Sequence, residues 1–200
     1  MLFTFTGGPA SGKSSTIRIL KSKLRSENAD VVFIPEAYTS LFGSYMPDEL
    51  RSFVSGSEAD LFKQYLIGSF QTAAVNALRN GERIIITDRG LYDAGAYLSG
   101  KDADQFFSSF SEKDLEMSLP DHLVYFQAPP QYYRDQEDET FREENDFKEM
   151  QERGMKTLKA WKSVLDARRI HLIQPSDSIE DKAAKVGFLL NELSGKELFS

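Results

Sequence analysis

Residues 7–14 read Gly-Gly-Pro-Ala-Ser-Gly-Lys-Ser, and no other stretch of the 200-residue chain constrains its fold as tightly. The pattern is G-x-x-x-x-G-K-S. The short β-rich run Leu2 to Thr6 precedes it, and Lys13 to Leu24 follows, with Ile17, Ile19, Leu20 and Leu24 at helical spacing. A strand that turns through glycines into a helix gathers backbone N–H groups at the positive end of the helix dipole. Glycine puts no Cβ in the way of an anion. Lys13 adds a cation on a mobile stem for β- and γ-phosphates, and the Ser14 hydroxyl suits Mg2+. Gly7, Gly8, Pro9, Ala10, Ser11, Gly12, Lys13, Ser14 and Ser15 therefore read as a phosphate-binding loop for a nucleoside triphosphate.

The rest of the chain alternates apolar β-rich runs with helical ones. Strands are expected at Val31–Ile34, Arg83–Thr87, His122–Phe126 and Ile170–Ile173 in addition to the first. Long helices are expected over 58–78, 146–167 and 179–193. In the first of these, Leu61, Phe62, Tyr65, Leu66, Ala73, Ala77 and Leu78 mark the apolar stripe. Such alternation predicts an α/β fold: a five-stranded parallel sheet with helices on both faces. Two hundred residues suit a single domain over 1–200. Ligands in such folds bind beyond the carboxyl ends of the strands, where every motif of interest falls.

Composition narrows the partners. A net charge of −7 weighs against tight binding to a nucleic-acid backbone, which clustered Lys and Arg would drive. There is no cysteine, so neither a disulfide nor a thiolate metal site can form. His122 and His171 sit inside strand patterns and read as structural. No apolar run approaches the ~20 residues of a membrane span. With a strand beginning almost at Met1, the expectation is a cytoplasmic chain without a leader.

The phosphate loop speaks for triphosphate binding more than for a reaction. The D-x-x-G and N-K-x-D patterns of signalling GTPases are absent. The third strand ends in Asp88-Arg89, where a mechanical ATPase would usually carry Asp-Glu. An Asp at the end of an apolar strand can hold Mg2+ through water, and an adjacent Arg can grip an anionic group of a second substrate. Ser14 and Asp88 are thus the candidate metal-side residues. Asp93 either faces the same pocket or serves as a first-turn acid.

Four stretches together, "GGPASGKSS", "FIPEAY", "TDRGLYDAGAYL" and "PDHLVYFQAPPQYYR" with its charged continuation, resemble the P-loop nucleoside and nucleotide kinases of the thymidylate-kinase and deoxynucleoside-kinase group. They are also similar to the nicotinamide-riboside-kinase relatives. The resemblance implies a three-layer P-loop fold with a helical lid, at about 129–146, whose Arg134 and Arg142 reach the transferring phosphate. It implies ATP and Mg2+ as cofactors, with the loop at 174–178 around the adenine. Glu36 is then either a general base toward the acceptor hydroxyl or an orienter of the metal's water. Arg89 would bind an acceptor phosphate or hydroxyl. Gln71, with Tyr65 on the same helix, would read an acceptor base.

The activity expected is phosphoryl transfer from ATP to a small acceptor, a (deoxy)nucleoside monophosphate or a nucleoside. A kinase acting on DNA or RNA, at a terminus or a modified base, would need a basic track that the net charge disfavours. A non-catalytic nucleotide-binding regulator would have no use for Glu36, Asp88, Arg89 and the lid arginines together. Kinases of this resemblance often dimerise through long helices, so a homodimer is compatible with it.

Overall fold

The computed structural model describes residues 1–8, 10–25, 30–42, 57–79, 81, 83–98, 100–130 and 144–199. In chain order the elements are β1 Leu2–Gly7, α1 Lys13–Lys23, β2 Val31–Ile34, α2 Ala37–Phe42, α3 Ser57–Leu78, β3 Ile84–Asp88 and α4 Leu91–Ala96. Then come α5 Lys101–Ser108, α6 Glu112–Met117, β4 His122–Phe126, α7 Glu144–Val164, the 3-10 turn Ala167–Arg169, β5 Ile170–Ile173 and α8 Ile179–Ser194. The five strands form one sheet in the order β2-β3-β1-β4-β5. This is the three-layer α/β architecture expected. Element ends differ from the sequence reading by a few residues, the ordinary uncertainty of frayed termini. The short helices α5 and α6 had no clear sequence signal. Most of the lid stretch, Arg134 and Arg142 included, lies outside the described residues. Among the described residues no helix is long and apolar enough to cross a membrane. By internal contacts the chain divides into two compact units, Met1–Phe5 with Asp30–Leu123, and Thr6–Ala29 with Val124–Ser200.

In the first unit β3 pairs in parallel with β1 (Leu2 opposite Ile85, Phe5 opposite Asp88) and with β2 (Val31 opposite Ile84, Ile34 opposite Thr87). Both faces of these strands are covered, and within Leu2–Phe5, Val31–Ile34 and Ile84–Thr87 the side chains are apolar apart from Thr4 and Thr87. Those two hydroxyls satisfy each other at 2.9 Å. Leu2, Ile34, Val75 and Ile85 form one core cluster; Leu91, Ala94 and Phe106 form another, flanked by Leu61, Tyr92, Phe107 and Phe110. His122 stacks on Phe3 with ring centroids 5.6 Å apart, which gives it a packing role.

Helix α3 corrects the sequence reading of its apolar stripe. Phe62 and Tyr65 are exposed, and among the described residues of the helix the buried positions are Gln64, Gly68, Gln71, Thr72 and Val75. Close packing explains the small residue at the centre of that face. A Cβ on Gly68 would lie 2.8 Å from Leu91 Cδ1, 2.9 Å from Phe106 Cζ and 3.0 Å from Phe110 Cζ. Gly68→Val is therefore expected to lower stability by roughly 1–3 kcal/mol through overpacking. Urea unfolding monitored by circular dichroism checks this, the midpoint falling at an unchanged m-value.

In the second unit Trp161 of α7 is fully buried, together with Leu158, Leu165, Val124, Phe126 and Ile173. Helices α1 and α8 pack together. Near their contact, Gly187 leaves room beside Leu20 and Phe199. The Tyr125 hydroxyl donates to Gly154 O at 2.9 Å, and a Cβ at Gly154 would stand only 3.0 Å from Gly8 Cα. The missing side chain at Gly154 thus lets α7 rest directly on the backbone of the phosphate loop.

Candidate active site

The phosphate loop belongs to the second unit and is built by close backbone approach. Gly8 N donates to Phe126 O at 3.2 Å. A side chain at Gly7 would collide with the Phe126 carbonyl oxygen, and a Cβ at Gly8 would sit 2.7 Å from Ala128 Cβ. Gly12, at φ +80°, caps α1 in the left-handed region, and Ala10 also has a positive φ of 51°. Thr16 N closes the first turn on Gly12 O at 2.9 Å. Lys13 and Ser11 are buried, Ser15 is half-buried and Ser14 is exposed. Pro9 lies outside the described residues. Gly7 and Gly8 thus let the loop pack on the end of β4 and on Ala128, and the N–H groups at the α1 N-terminus are the part of it suited to an anion.

Lys182 was missed in the sequence and bears on this loop. Its ammonium is buried and donates to Ser11 O at 3.0 Å and to Pro175 O at 3.4 Å. Burial pushes its pKa below the ordinary lysine value, and the charge of Asp177 partly opposes that. The signal was present: Lys182 stands at i, i+4, i+8 with Val186 and Leu190, so a lysine occupies a core position of an amphipathic helix.

The candidate acceptor residues belong to the first unit. Glu36 follows β2, and Asp88-Arg89 close β3. Arg89 Nε donates to Glu36 Oε1 at 2.6 Å, and Arg89 Nη1 donates to Tyr97 OH at 3.1 Å. Burial pulls the guanidinium pKa down, but the neighbouring oxygens of Tyr97, Glu36 and Asp93 outweigh it, so the net shift is upward. Arg89 is a permanent cation here. Its backbone is held at φ +67°, rare for a residue with a side chain, and its N–H is tied to Phe5 O at 2.8 Å. Backbone strain of this kind gathers at functional sites. Tyr97, eight residues beyond Arg89, had no sequence signal as its partner.

Asp93 is buried and serves as a cap, its Oδ2 accepting from Gly90 N at 2.8 Å, and its charge also acts on Arg89. Gln71 is buried, and its Nε2 donates to Asp88 O at 3.3 Å and Pro35 O at 3.5 Å. It therefore braces the ends of β2 and β3 directly beside Glu36 and Arg89. Its Oε1 is buried with no hydrogen-bond partner among the described residues. Tyr65 lies elsewhere on α3, in a groove of about 360 Å3 that it lines with Leu61, Phe62, Gln105, Phe106 and Ser109. Gln71 is not among the lining residues. Among the described residues no cluster of three or more His, Asp or Glu could hold a metal by itself.

No curated protein matches the sequence. Among solved structures, the thymidylate kinase from Candida albicans is similar, with a TM-score of 0.57 at 18% sequence identity, over 100% of this chain and 94% of that one. Such a likeness establishes the fold. A family model described as AAA domain matches residues 2–182, nearly the whole chain and every residue of the phosphate loop. The chain belongs to the AAA domain family of P-loop nucleoside-triphosphate-binding proteins, and it carries the fold of a thymidylate kinase.

Proposed function

We propose that the protein transfers the γ-phosphoryl group of ATP to a hydroxyl or phosphate of a small acceptor, a nucleoside or a nucleoside monophosphate. The fold supports nucleotide-kinase chemistry. The observation that carries the reading is the Glu36–Arg89 pair, 2.6 Å apart at the carboxyl ends of β2 and β3, the end of a parallel sheet at which ligands bind.

In this reading the ATP phosphates rest on the N–H groups around Gly7 to Ser15, with Lys13 as their mobile cation. The exposed Ser14 hydroxyl and the Asp88 carboxylate are hard oxygen donors of the kind Mg2+ takes. When bound, the metal supplies positive charge that neutralises the transferring phosphoryl oxygens. Glu36 accepts the proton of the acceptor hydroxyl, and Arg89 holds that carboxylate in one orientation. The donors of Arg89 beyond Nε and its one contact to Tyr97 are suited to an anionic acceptor group. Arg134 and Arg142 enter as lid arginines on the sequence resemblance alone. Gln71 and Tyr65 are kept as acceptor-binding candidates: Gln71 through its Oε1, Tyr65 through its ring. The similar thymidylate kinase favours a nucleotide acceptor. A cytoplasmic location, where ATP and such acceptors are available, belongs to the same proposal.

An ADP-release screen with ATP and Mg2+ over the common nucleosides and monophosphates tests it. At least one acceptor should raise ADP release well above the acceptor-free rate; no response from any of them would sink the proposal. With the acceptor in hand, Asp88→Asn is expected to shift the Mg2+ titration to higher metal concentration while the fold is kept. An unchanged titration would leave Asp88 as a structural strand end.

A further inference from the structure

We propose that Lys182 is a positioning residue for the nucleoside triphosphate: its buried ammonium sets the orientation of the Ser11–Gly12 peptide in the phosphate loop and locks that loop to the segment after β5. The inference rests on the proposed binding of ATP at this loop and adds a residue to it.

A phosphate loop binds anions with its N–H groups, so its carbonyls must turn away from the ligand. The Ser11 carbonyl and the Gly12 N–H belong to one trans peptide unit and point in opposite directions. Lys182 Nζ holds Ser11 O at 3.0 Å. The Gly12 N–H is thereby turned away from the ammonium. Without the grip this peptide would have little to resist rotation, because Gly12 tolerates both signs of φ. The first turn of α8 is fitted to the same spot. A Cβ on Gly12 would meet Ile179 Cδ1 at 2.5 Å and stand 3.5 Å from Lys182 Nζ.

The same ammonium donates to Pro175 O at 3.4 Å, in the segment between β5 and α8. That segment is itself braced. Lys185 Nζ pairs with Asp177 Oδ1 at 2.7 Å, and Ser178 Oγ accepts from Asp181 N at 3.0 Å to cap α8. Asp177 Oδ2 is buried without a hydrogen-bond partner among the described residues, and the carboxylate that pairs with Lys185 also acts electrostatically on the Lys182 ammonium. A buried cation is costly and persists where it is hydrogen-bonded and where it supports something else. Here a charge-assisted bond to Ser11 O also polarises the peptide it grips, which strengthens the Gly12 N–H as a donor. One side chain thus ties two chain segments 164 residues apart, Ser11 and Pro175, into a single nucleotide site.

The test is isothermal calorimetry of the full chain with ATP and, separately, with inorganic tripolyphosphate, which has no base. Lys182→Met keeps most of the aliphatic stem and removes the charge. It is expected to raise the Kd for both ligands about 10-fold or more, with the folded state intact by circular dichroism at the assay temperature. Lys182→Arg, which keeps a donor and the charge, should recover part of the loss. In the wild type the Gly12 amide resonance should shift on adding tripolyphosphate, and in Lys182→Met that shift should shrink. Should Lys182→Met fail to fold, Lys182→Gln carries the same comparison. A folded variant without the ammonium that binds both ligands as the wild type does would overturn the proposal, and a lowered melting temperature alone would not rescue it. Lys13→Ala is the control for the underlying reading. If Lys13→Ala loses ATP and Lys182→Met does not, the positioning role fails and the site stands. If neither variant changes ATP binding, the placement of ATP on this loop has failed and the proposal falls with it.

Discussion

Lys13→Ala is expected to lower kcat roughly 10²–10³-fold, the loss seen when one preorganised donor to transition-state charge is removed. The reason is local. Phosphoryl transfer demands little covalent chemistry from the protein, so its rate comes from positioning and charge neutralisation. Lys13 is the cation at the end of a loop otherwise made of backbone N–H groups. Lys13 is buried, at 6% exposure, so its charge is poorly screened by water. The fold should survive, because α1 keeps its apolar contacts through Ile17 and Leu20. Steady-state kinetics with the identified acceptor, alongside a thermal melt, gives the result; near-normal turnover in the variant would remove the phosphate loop from catalysis.

The second large effect is expected at the Glu36–Arg89 pair. For a nucleoside acceptor, whose hydroxyl must lose a proton of high pKa, Glu36→Gln should lower kcat about 10²–10⁴-fold with ATP affinity barely changed; for a monophosphate acceptor, whose attacking oxygen is already ionised, the loss should be modest. The amide keeps the shape and a hydrogen bond to Arg89 but cannot take the acceptor's proton. Arg89→Ala reads the acceptor class. For a monophosphate acceptor it removes a charge-assisted contact worth roughly 1.5–3 kcal/mol and raises the acceptor KM about 10- to 100-fold. For an uncharged nucleoside it acts through Glu36, whose carboxylate is left without the cation that orients it, and kcat falls more than KM rises. The cation at Arg89 does not by itself argue for an anionic acceptor, as its place beside Asp88 in the sequence suggested: the Glu36 carboxylate and Tyr97 hydroxyl are partner enough for it. Measuring kcat and KM for both variants against one acceptor decides. If neither constant moves in either variant, the pair is a structural brace, and the acceptor must be met by other residues.

The phosphate loop and the strand–helix alternation were legible in the sequence because both are written in short spacings. Glycine positions, a lysine at a helix start and apolar periodicity act within a few residues of backbone, and those rules hold in any fold that accepts them. Glu36, Asp88 and Arg89 could be singled out as candidates for the same reason: each lies at or within two residues of the end of a strand that its apolar run reveals. That Arg89 spends its Nε on Glu36 was invisible, because the two are 53 positions apart and meet only when β2 and β3 pair in their particular register. The buried face of α3 was misread because apolar content decides burial only on average. Gly68 against Leu91, Phe106 and Phe110, and Gln71 beneath two strand-end carbonyls, won that face through close approach and hydrogen bonding. Lys182 marks the same divide. Its place in an apolar stripe was readable from spacing, but the carbonyls of Ser11 and Pro175 that make a buried ammonium tolerable are brought to it only by the tertiary fold.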